Sequence, residues 1–451
     1  MRIPHPVRGS YPVRHGNSVH PLIDGVPTFR RIGEAIDQAQ QSVWLTVAFY
    51  APDFLMPDGR GALFDVLDRA AARGLDVRVI FWRPNPESIG LGRTFAGSPA
   101  DRDLLRQRGS RFRARWDRAH GHYLHHQKSW LIDAGRPSEV VFIGGINLTA
   151  QAVGSPGHGD GNRHDVYVEV RGPAATDAHH NFVQRWNEAS DREADDGRWG
   201  PGAEGHLLFP TRLSEPRGRS VVQIQRNVAA GHYSNGTASP GGAVFPIANG
   251  ERTIFEQYLL AVEAARDAIY IVNQAIPIPP VADALAGALK RGVEVVMLVP
   301  AQPKGYVRAA RRDPERRLLF DRLARLGTYQ HFTLAGIASQ DVQGNRRDIY
   351  VHAKVMLVDD EWATIGSCNL HANSLFGHTE MNASIWDPAV VRPLRCAMLA
   401  EHLDLDAADL DARAALRRFR FVARENFRRR DAKDPVWQGI AYRLNAATYG
   451  Q

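Results

Sequence analysis

The sequence predicts an α/β fold built as two pseudo-symmetric repeats, each a mixed, mostly buried sheet flanked by helices, with the active site at their interface. Three observations carry this expectation: the length of the chain, its alternation of helical and apolar strand patterns, and the recurrence of those patterns in its second half. At 451 residues the chain is too long for one comfortable hydrophobic core, because domains usually run to about 100–200 residues. Alternating helical and strand patterns predict α/β units around a buried sheet.

The repeat is visible element by element. Phe29, Ile32, Ala35, Ile36 and Ala39 form an amphipathic helical pattern that leads into Val43-Trp44-Leu45-Thr46-Val47, a strand-like run. Ile254, Tyr258, Ala261, Val262 and Ala265 lead in the same way into Ala268-Ile269-Tyr270-Ile271-Val272. After a second helical pattern, Arg73-Gly74-Leu75-Asp76-Val77 is matched by Arg291-Gly292-Val293-Glu294-Val295, with the glycines 218 positions apart and placed as helix C-caps. Ala229 to Pro246 is rich in Gly, Ser, Asn and Pro and reads as a loop or linker. Ser220 to Arg226 reads as a strand, so we divide the chain into an N-terminal half, 1–212, and a C-terminal half, 213–451. Beyond residue 400 the pattern is helical and basic, with Arg413, Arg417, Arg418, Arg420, Arg424 and Arg428 to Arg430 interleaved with Leu416, Phe419, Phe421, Val422 and Phe427. That pattern suits a docked helix with a solvated basic face, or a helix facing a membrane surface.

Composition narrows the class. With 44% hydrophobic and 23% charged residues the chain reads as a soluble globular protein. The strongest apolar run, Val43 to Ala51, is strand-length, well short of the roughly 18–20 residues of a membrane span. No long apolar stretch follows Met1-Arg2-Ile3-Pro4-His5, so a secretory leader is not expected. The expected location is the cytoplasm or the periphery of a membrane, with export by a signal-independent route left open. Cys368 and Cys396 are the only cysteines, which argues against a disulfide framework and a thiolate metal site. The net charge of +7 points to an anionic partner such as a membrane surface, nucleic acid or phosphorylated small molecules. Only five of the 56 basic residues are lysines, at 128, 290, 304, 354 and 433, so each lysine invites a question.

Two of those lysines fall in a duplicated motif. His126-Gln127-Lys128-Ser129-Trp130-Leu131-Ile132-Asp133 precedes Gly144-Gly145-Ile146-Asn147, and His352-Ala353-Lys354-Val355-Met356-Leu357-Val358-Asp359 precedes Gly366-Ser367-Cys368-Asn369. The histidines are 226 positions apart, close to the offset of the repeat. On a strand, residues i and i+2 share a face, so each His and Lys project together. Asp133 and Asp359 lie seven positions past their histidines. That odd separation turns them from the His face and gives them a structural, strand-end role. Gly144-Gly145 and Gly366-Ser367 end the next strand, let backbone approach closely and deliver Asn147 and Asn369 to the same edge.

Each half thus offers a nucleophile or acid, a fixed cation and a neutral donor. A phosphodiester requires such groups, because its oxygens must be neutralised while attack proceeds in line and the leaving oxygen is protonated. Two facing histidines divide the displacement into two steps through a phosphohistidine. Histidines in such roles need carboxylates to fix the tautomer. We assign Asp165, at the start of the strand after the first motif, to His126, and Glu380, after the second, to His352.

From about residue 25 to 405 the chain resembles the phospholipase D superfamily. The resemblance rests on the paired motifs and extends to His164-Asp165-Val166 with Arg171-Gly172-Pro173, to Phe182, Arg185 and Trp186, to Tyr350-Val351, to Asn373-Ser374 and to Glu401-His402-Leu403. These residues look like the phospholipid-acting branch. The resemblance implies a metal-independent, cofactor-free enzyme that forms a phosphatidyl-histidine and passes it to water or an alcohol. By analogy His126 is the nucleophile and His352 the acid. It also implies a phospholipid substrate at an anionic membrane surface, and a monomer, since one chain holds both motifs. The first hairpin departs from the second: ten residues separate Asp133 from Gly144, and six separate Asp359 from Gly366.

Rival readings are weaker. His122, His125, His126, His179 and His180 invite a metal, but Lys128 beside His126 repels one and zinc-site spacing is missing. A nuclease using the same histidines is the main alternative for a basic chain, though both motifs keep the Asp that tyrosyl-DNA enzymes of the superfamily lack. A cardiolipin-synthase-like transfer, with a second lipid as acceptor, is the alternative within lipid chemistry. Arg308, Arg311, Arg312, Arg316 and Arg317 are candidates for a headgroup phosphate, against the plainer reading of a solvated helix.

Overall fold

The computed structural model describes residues 1–341 and 343–451. The N-terminal half runs β1 (Arg14–Ile23), α1 (Gly25–Gln38), β2 (Ser42–Val47), α2 (Leu63–Ala72), β3 (Asp76–Trp82), α3 (Pro99–Arg108), β4 (Arg113–Asp117), β5 (Ser129–Ile132), β6 (Val140–Gly144), β7 (Val166–Arg171) and α4 (Pro173–Glu188). Its strands lie in the order β1-β7-β6-β5-β2-β3-β4, with the β2-β3-β4 steps parallel and the others antiparallel.

The C-terminal half repeats this plan. It runs β8 (Ser220–Val228), α5 (Thr253–Ala264), β9 (Ala268–Asn273), α6 (Pro279–Lys290), β10 (Glu294–Leu298), α7 (Gly305–Arg312), α8 (Arg317–Leu326), β11 (Phe332–Gln340), β12 (Lys354–Val358), β13 (Trp362–Gly366), α9 (Ala372–Phe376), β14 (Glu380–Trp386), α10 (Pro388–Leu403) and α11 (Ala412–Asp431). The order β8-β14-β13-β12-β9-β10-β11 maps strand for strand onto the first sheet, with the same parallel and antiparallel steps. β1 and β8 pair through Arg14↔Val222 and Asn17↔Ser220, which joins the two sheets. The expected mixed α/β architecture is therefore present.

The central strands are buried on both faces. Every residue of β2, β5, β9 and β12 is buried, as expected for a sheet covered on both sides. One core packs α1, α2 and α3 against the outer face of the first sheet, and another packs α5, α6 and α8 against the second. A third core is shared. Ile143 and Val168 of the first sheet and Val355 and Ile365 of the second belong to it, together with α4, α10 and α11. Gly74 and Gly292, the matched glycines, both take positive φ (84° and 86°) just beyond α2 and α6, so a Cβ would be strained at either.

The N-terminal residues cross to the other half. Ile3 lies in the core of the second sheet, and Arg2 pairs with Glu361 at 2.9 Å. The basic segment after residue 400 includes α11, which docks through Ala415, Leu416, Phe419 and Val422. Its Arg420 meets the buried Glu294 at 3.2 Å and its Arg430 meets Asp348 at 2.9 Å.

Candidate active site

Short backbone bridges between the halves build the site. The segment before β5 pairs His125 with Thr379, and the segment before β12 pairs Val351 with His164. His126 N donates to Thr379 O at 2.9 Å, and His352 N donates to His164 O at 2.8 Å. Each motif therefore enters its own sheet alongside the segment that begins a strand of the other. That places Glu380, the first residue of β14, beside His126, and Asp165, just before β7, beside His352.

The carboxylate assignment made from the sequence is thus corrected. Asp165 does not serve His126, nor Glu380 His352. The pairs are crossed. Nδ1 of His126 is 3.0 Å from both Oε1 and Oε2 of Glu380 and 3.1 Å from Ser367 O. Nδ1 of His352 is 2.5 Å from Oδ2 of Asp165. The assignment by chain proximity failed because the bridges run between halves, and no local pattern announces them.

Both pairs are buried and held from behind. Ser367 Oγ donates to Glu380 Oε2 at 2.5 Å, and Val166 N donates to Asp165 Oδ1 at 2.9 Å. With Nδ1 engaged, the Nε2 edge of each imidazole is the one left for chemistry. Asn147 Nδ2 lies 3.4 Å from His352 Nε2. Asn147 and Asn369 are both buried, and among the described residues neither Oδ1 has a hydrogen-bond partner. Lys128 Nζ donates to His126 O at 2.6 Å. Lys354 Nζ donates to Gln274 Oε1 at 3.0 Å and lies 3.2 Å from His352 Nδ1.

Burial governs the electrostatics. It holds His126 well below the ordinary imidazole range, helped by Lys128 and Lys354. His352 is lowered in the same way by burial, then by Lys354 and Arg163. Burial pulls Lys128 down to about 7 and Lys354 to about 8. It pushes the Asp165 and Glu380 carboxyls up. The dry site disfavours charge on each of these groups, and an entering phosphate monoanion would restore charge to the lysines.

The motif aspartates brace the strands. Asp133 takes a φ of 55° immediately after β5, and its Oδ1 accepts from the backbone N of Gln40, Gln41 and Ser42 at 2.9, 2.7 and 3.3 Å. Asp359 takes a φ of 54° after β12 and accepts from the N of Arg266, Asp267 and Ala268, each at 2.8 Å. Each thus ties down the loop between a helix (α1 or α5) and the adjacent central strand.

The glycine of the first motif has a steric reason. A Cβ on Gly145 would stand 2.4 Å from Asp165 Oδ1 and 3.1 Å from Lys354 Cδ. A Cβ on Gly144 would likewise stand 2.5 Å from Val166 O, and one on Gly366 2.4 Å from Met381 O.

Some neighbours of the site received no role from the sequence. Tyr350 OH accepts from Gln274 Nε2 at 3.0 Å, and its ring lies 5.3 Å from Lys304 Nζ and 5.7 Å from Arg163 Cζ. The scarcity of lysine was the available signal for Lys304. Of the arginines considered for a headgroup phosphate, Arg311 donates to Tyr449 O at 2.9 Å, and Arg316, between α7 and α8, faces Asp313 at 3.5 Å. Two of the histidines considered as metal ligands, His179 and His180, have other partners. His179 meets Glu139 at 3.0 Å, and His180 Nε2 lies 2.9 Å from Thr237 O.

Comparison with known sequences decides the family. The family described as "Cardiolipin synthase, PLD-like domain" matches residues 32–186 and 258–400, which include both motifs and both carboxylates. The chain belongs to this family. This PLD-like chain is 25% identical to phospholipase D A of Dictyostelium discoideum over 82% of its own length, and spans 33% of that protein. It is 25% identical to cardiolipin synthase of Listeria monocytogenes, covering 86% of the chain and 69% of the relative. Cardiolipin synthase A of Pseudomonas putida is 26% identical, over 82% of the chain and 65% of the relative. Among solved structures, phosphatidylserine synthase of Haemophilus influenzae matches 83% of both chains with a TM-score of 0.54 at 14% identity, a likeness of fold. Among the described residues, no helix of the PLD-like chain is long and apolar enough to cross a membrane.

Proposed function

We propose that this chain is a phospholipase D-type phosphodiesterase and transphosphatidylase. It cleaves the headgroup side of a phospholipid phosphodiester and passes the phosphatidyl group to water or an alcohol. The observation that carries this reading is the crossed pair of imidazole–carboxylate contacts, His126 with Glu380 and His352 with Asp165, flanked by Lys128 and Lys354. Names of relatives, cardiolipin synthases and a phospholipase D, support a lipid substrate.

In this reading the bound phosphodiester anion favours the protonated form of His352, which takes up a proton from solvent as substrate binds. Nε2 of His126 then attacks phosphorus while the His352 imidazolium protonates the departing headgroup oxygen. Glu380 supports the charge that grows on His126, and Asp165 supports the His352 imidazolium. Lys128, Lys354, Asn147 and Asn369 donate to the non-bridging oxygens. Neutral His352 then takes a proton from water or an alcohol, which displaces His126 and completes the transfer. No metal takes part in these steps.

The test is incubation with a phospholipid panel, with and without ethanol and chelator. Phosphatidylethanol formed during brief exposure to chelator is the expected product. Absence of lipid turnover alongside cleavage of single-stranded DNA would replace the reading with a nuclease. Transfer only to a second glycerol-bearing lipid would identify a cardiolipin-synthase-like transferase.

A further inference from the structure

Directly behind the Asp165–His352 pair lies a second cluster that the proposed chemistry does not use. Asp24 sits between β1 and α1, His158 and His164 between β6 and β7, and Glu401 on α10. Asp24, His158 and His164 are wholly buried, and the Glu401 side chain is 7% exposed. One donor atom from each lies within 4.8 Å of every other.

The four side chains gather around one point, each carboxylate turning one oxygen to each histidine. His158 Nε2 is 3.3 Å from His164 Nδ1, 3.2 Å from Glu401 Oε1 and 3.5 Å from Asp24 Oδ2. His164 Nδ1 is 3.0 Å from Asp24 Oδ1 and 3.9 Å from Glu401 Oε2. Zinc bonds of about 2.0–2.1 Å put tetrahedral ligands about 3.3 Å apart. Moreover, Asp24 Oδ2 has no hydrogen-bond partner among the described residues, although it is buried and aimed at His158.

The proton inventory at His164 agrees. His164 Nε2 is 3.3 Å from His402 Nε2, and His402 Nδ1 is 2.5 Å from Tyr270 OH. If His164 Nε2–H donates to His402, and His402 Nδ1–H to Tyr270, the Nδ1 lone pair of His164 faces the cluster. Such an outer partner fixes the tautomer of a metal-bound imidazole. Two carboxylates would balance a divalent charge without leaving net charge in the core. A contrasting cluster, Asp117, His125 and His232, already holds a cation, since Arg185 lies 3.2 Å from Asp117.

We propose that Asp24, His158, His164 and Glu401 form a closed divalent-metal site of the zinc class that ties the two halves together behind the catalytic pair. Three ligands come from the N-terminal half and Glu401 from the C-terminal half. Four protein ligands with no open position make a structural site. Its metal holds the segment of His164, whose carbonyl accepts from His352 N at 2.8 Å and which adjoins Asp165.

The test uses the full chain, purified without a metal-binding tag from zinc-supplemented cells, with metal counted by mass spectrometry. About one equivalent of zinc per chain is expected, with X-ray absorption showing N/O ligands at about 2.0–2.1 Å. Dialysis against dipicolinate should lower Tm, and added zinc should restore it. His158→Ala and Glu401→Gln should each cut the bound metal at least about tenfold. Should either variant fail to fold, the wild-type metal count and the reversible Tm shift still decide. Less than about 0.1 equivalent in the wild type, with Tm unmoved by zinc, would overturn the proposal. None of these readouts depends on lipid turnover, so a failure here is separable from a failure of the proposed function.

Discussion

Nδ1 of His352 lies 2.5 Å from Oδ2 of Asp165, a carboxylate 187 positions earlier in the chain and in the opposite half of the molecule. Its counterpart, His126 with Glu380, spans 254 positions in the other direction. Each half therefore supplies a histidine to one pair and a carboxylate to the other. Neither half holds a supported histidine alone.

Asp165→Asn and Glu380→Gln should each lower kcat on the order of 10²–10⁴-fold, because an amide can impose the wrong imidazole tautomer. A p-nitrophenyl leaving group separates them. It needs no proton, so it should rescue the first step of Asp165→Asn and not that of Glu380→Gln. Equal rescue of both in stopped-flow bursts would refute the crossed roles.

Binding of a phosphate-like anion should take up protons near pH 8. The free site holds Lys128 at about 7 and Lys354 at about 8. An adjacent anion favours the protonated lysines, so it raises both values and its affinity falls as pH rises through that range. Calorimetry with tungstate in buffers of different ionisation enthalpy measures the uptake. Zero uptake at pH 8 would contradict the depressed lysines.

Asp133→Asn should lower stability by about 1–3 kcal/mol in urea unfolding, through weaker acceptance from the N–H groups it holds. Asparagine tolerates its positive φ, so the turn itself should survive. Turnover per folded molecule should stay within about twofold. Normal stability with lost turnover would make Asp133 catalytic instead.

Gly145→Ala should displace Asp165 and Lys354, since its Cβ would stand 2.4 Å from Asp165 Oδ1. A loss of kcat on the order of 10²-fold is expected from such misplacement. A near-native circular dichroism spectrum would attribute that loss to the site. Unchanged kcat would show that the close approach is not needed.

Much of this architecture was legible in the chain. The repeat predicted two matched sheets because helix-to-strand patterns recur locally, and the parity of His, Lys and Asp in each motif anticipated the strand-end braces at Asp133 and Asp359. What local patterns cannot contain is contact between distant segments. The pairing of His125 with Thr379 and of Val351 with His164 reverses the carboxylate assignment, and it arises only when the halves dock. The four-residue cluster around His158 escaped for the same reason. Asp24 and Glu401 stand at opposite ends of the sequence, at no spacing that marks a metal site.

The most direct test of the two-histidine account uses His352→Ala with a p-nitrophenyl phosphatidyl substrate, followed by acid-free peptide mapping. Without His352 the leaving group can still depart, but no base activates water to release the intermediate. The account predicts a stoichiometric burst of nitrophenolate, with the phosphatidyl adduct on the peptide that carries His126. Steady turnover at the wild-type rate, with no adduct at His126, would contradict it.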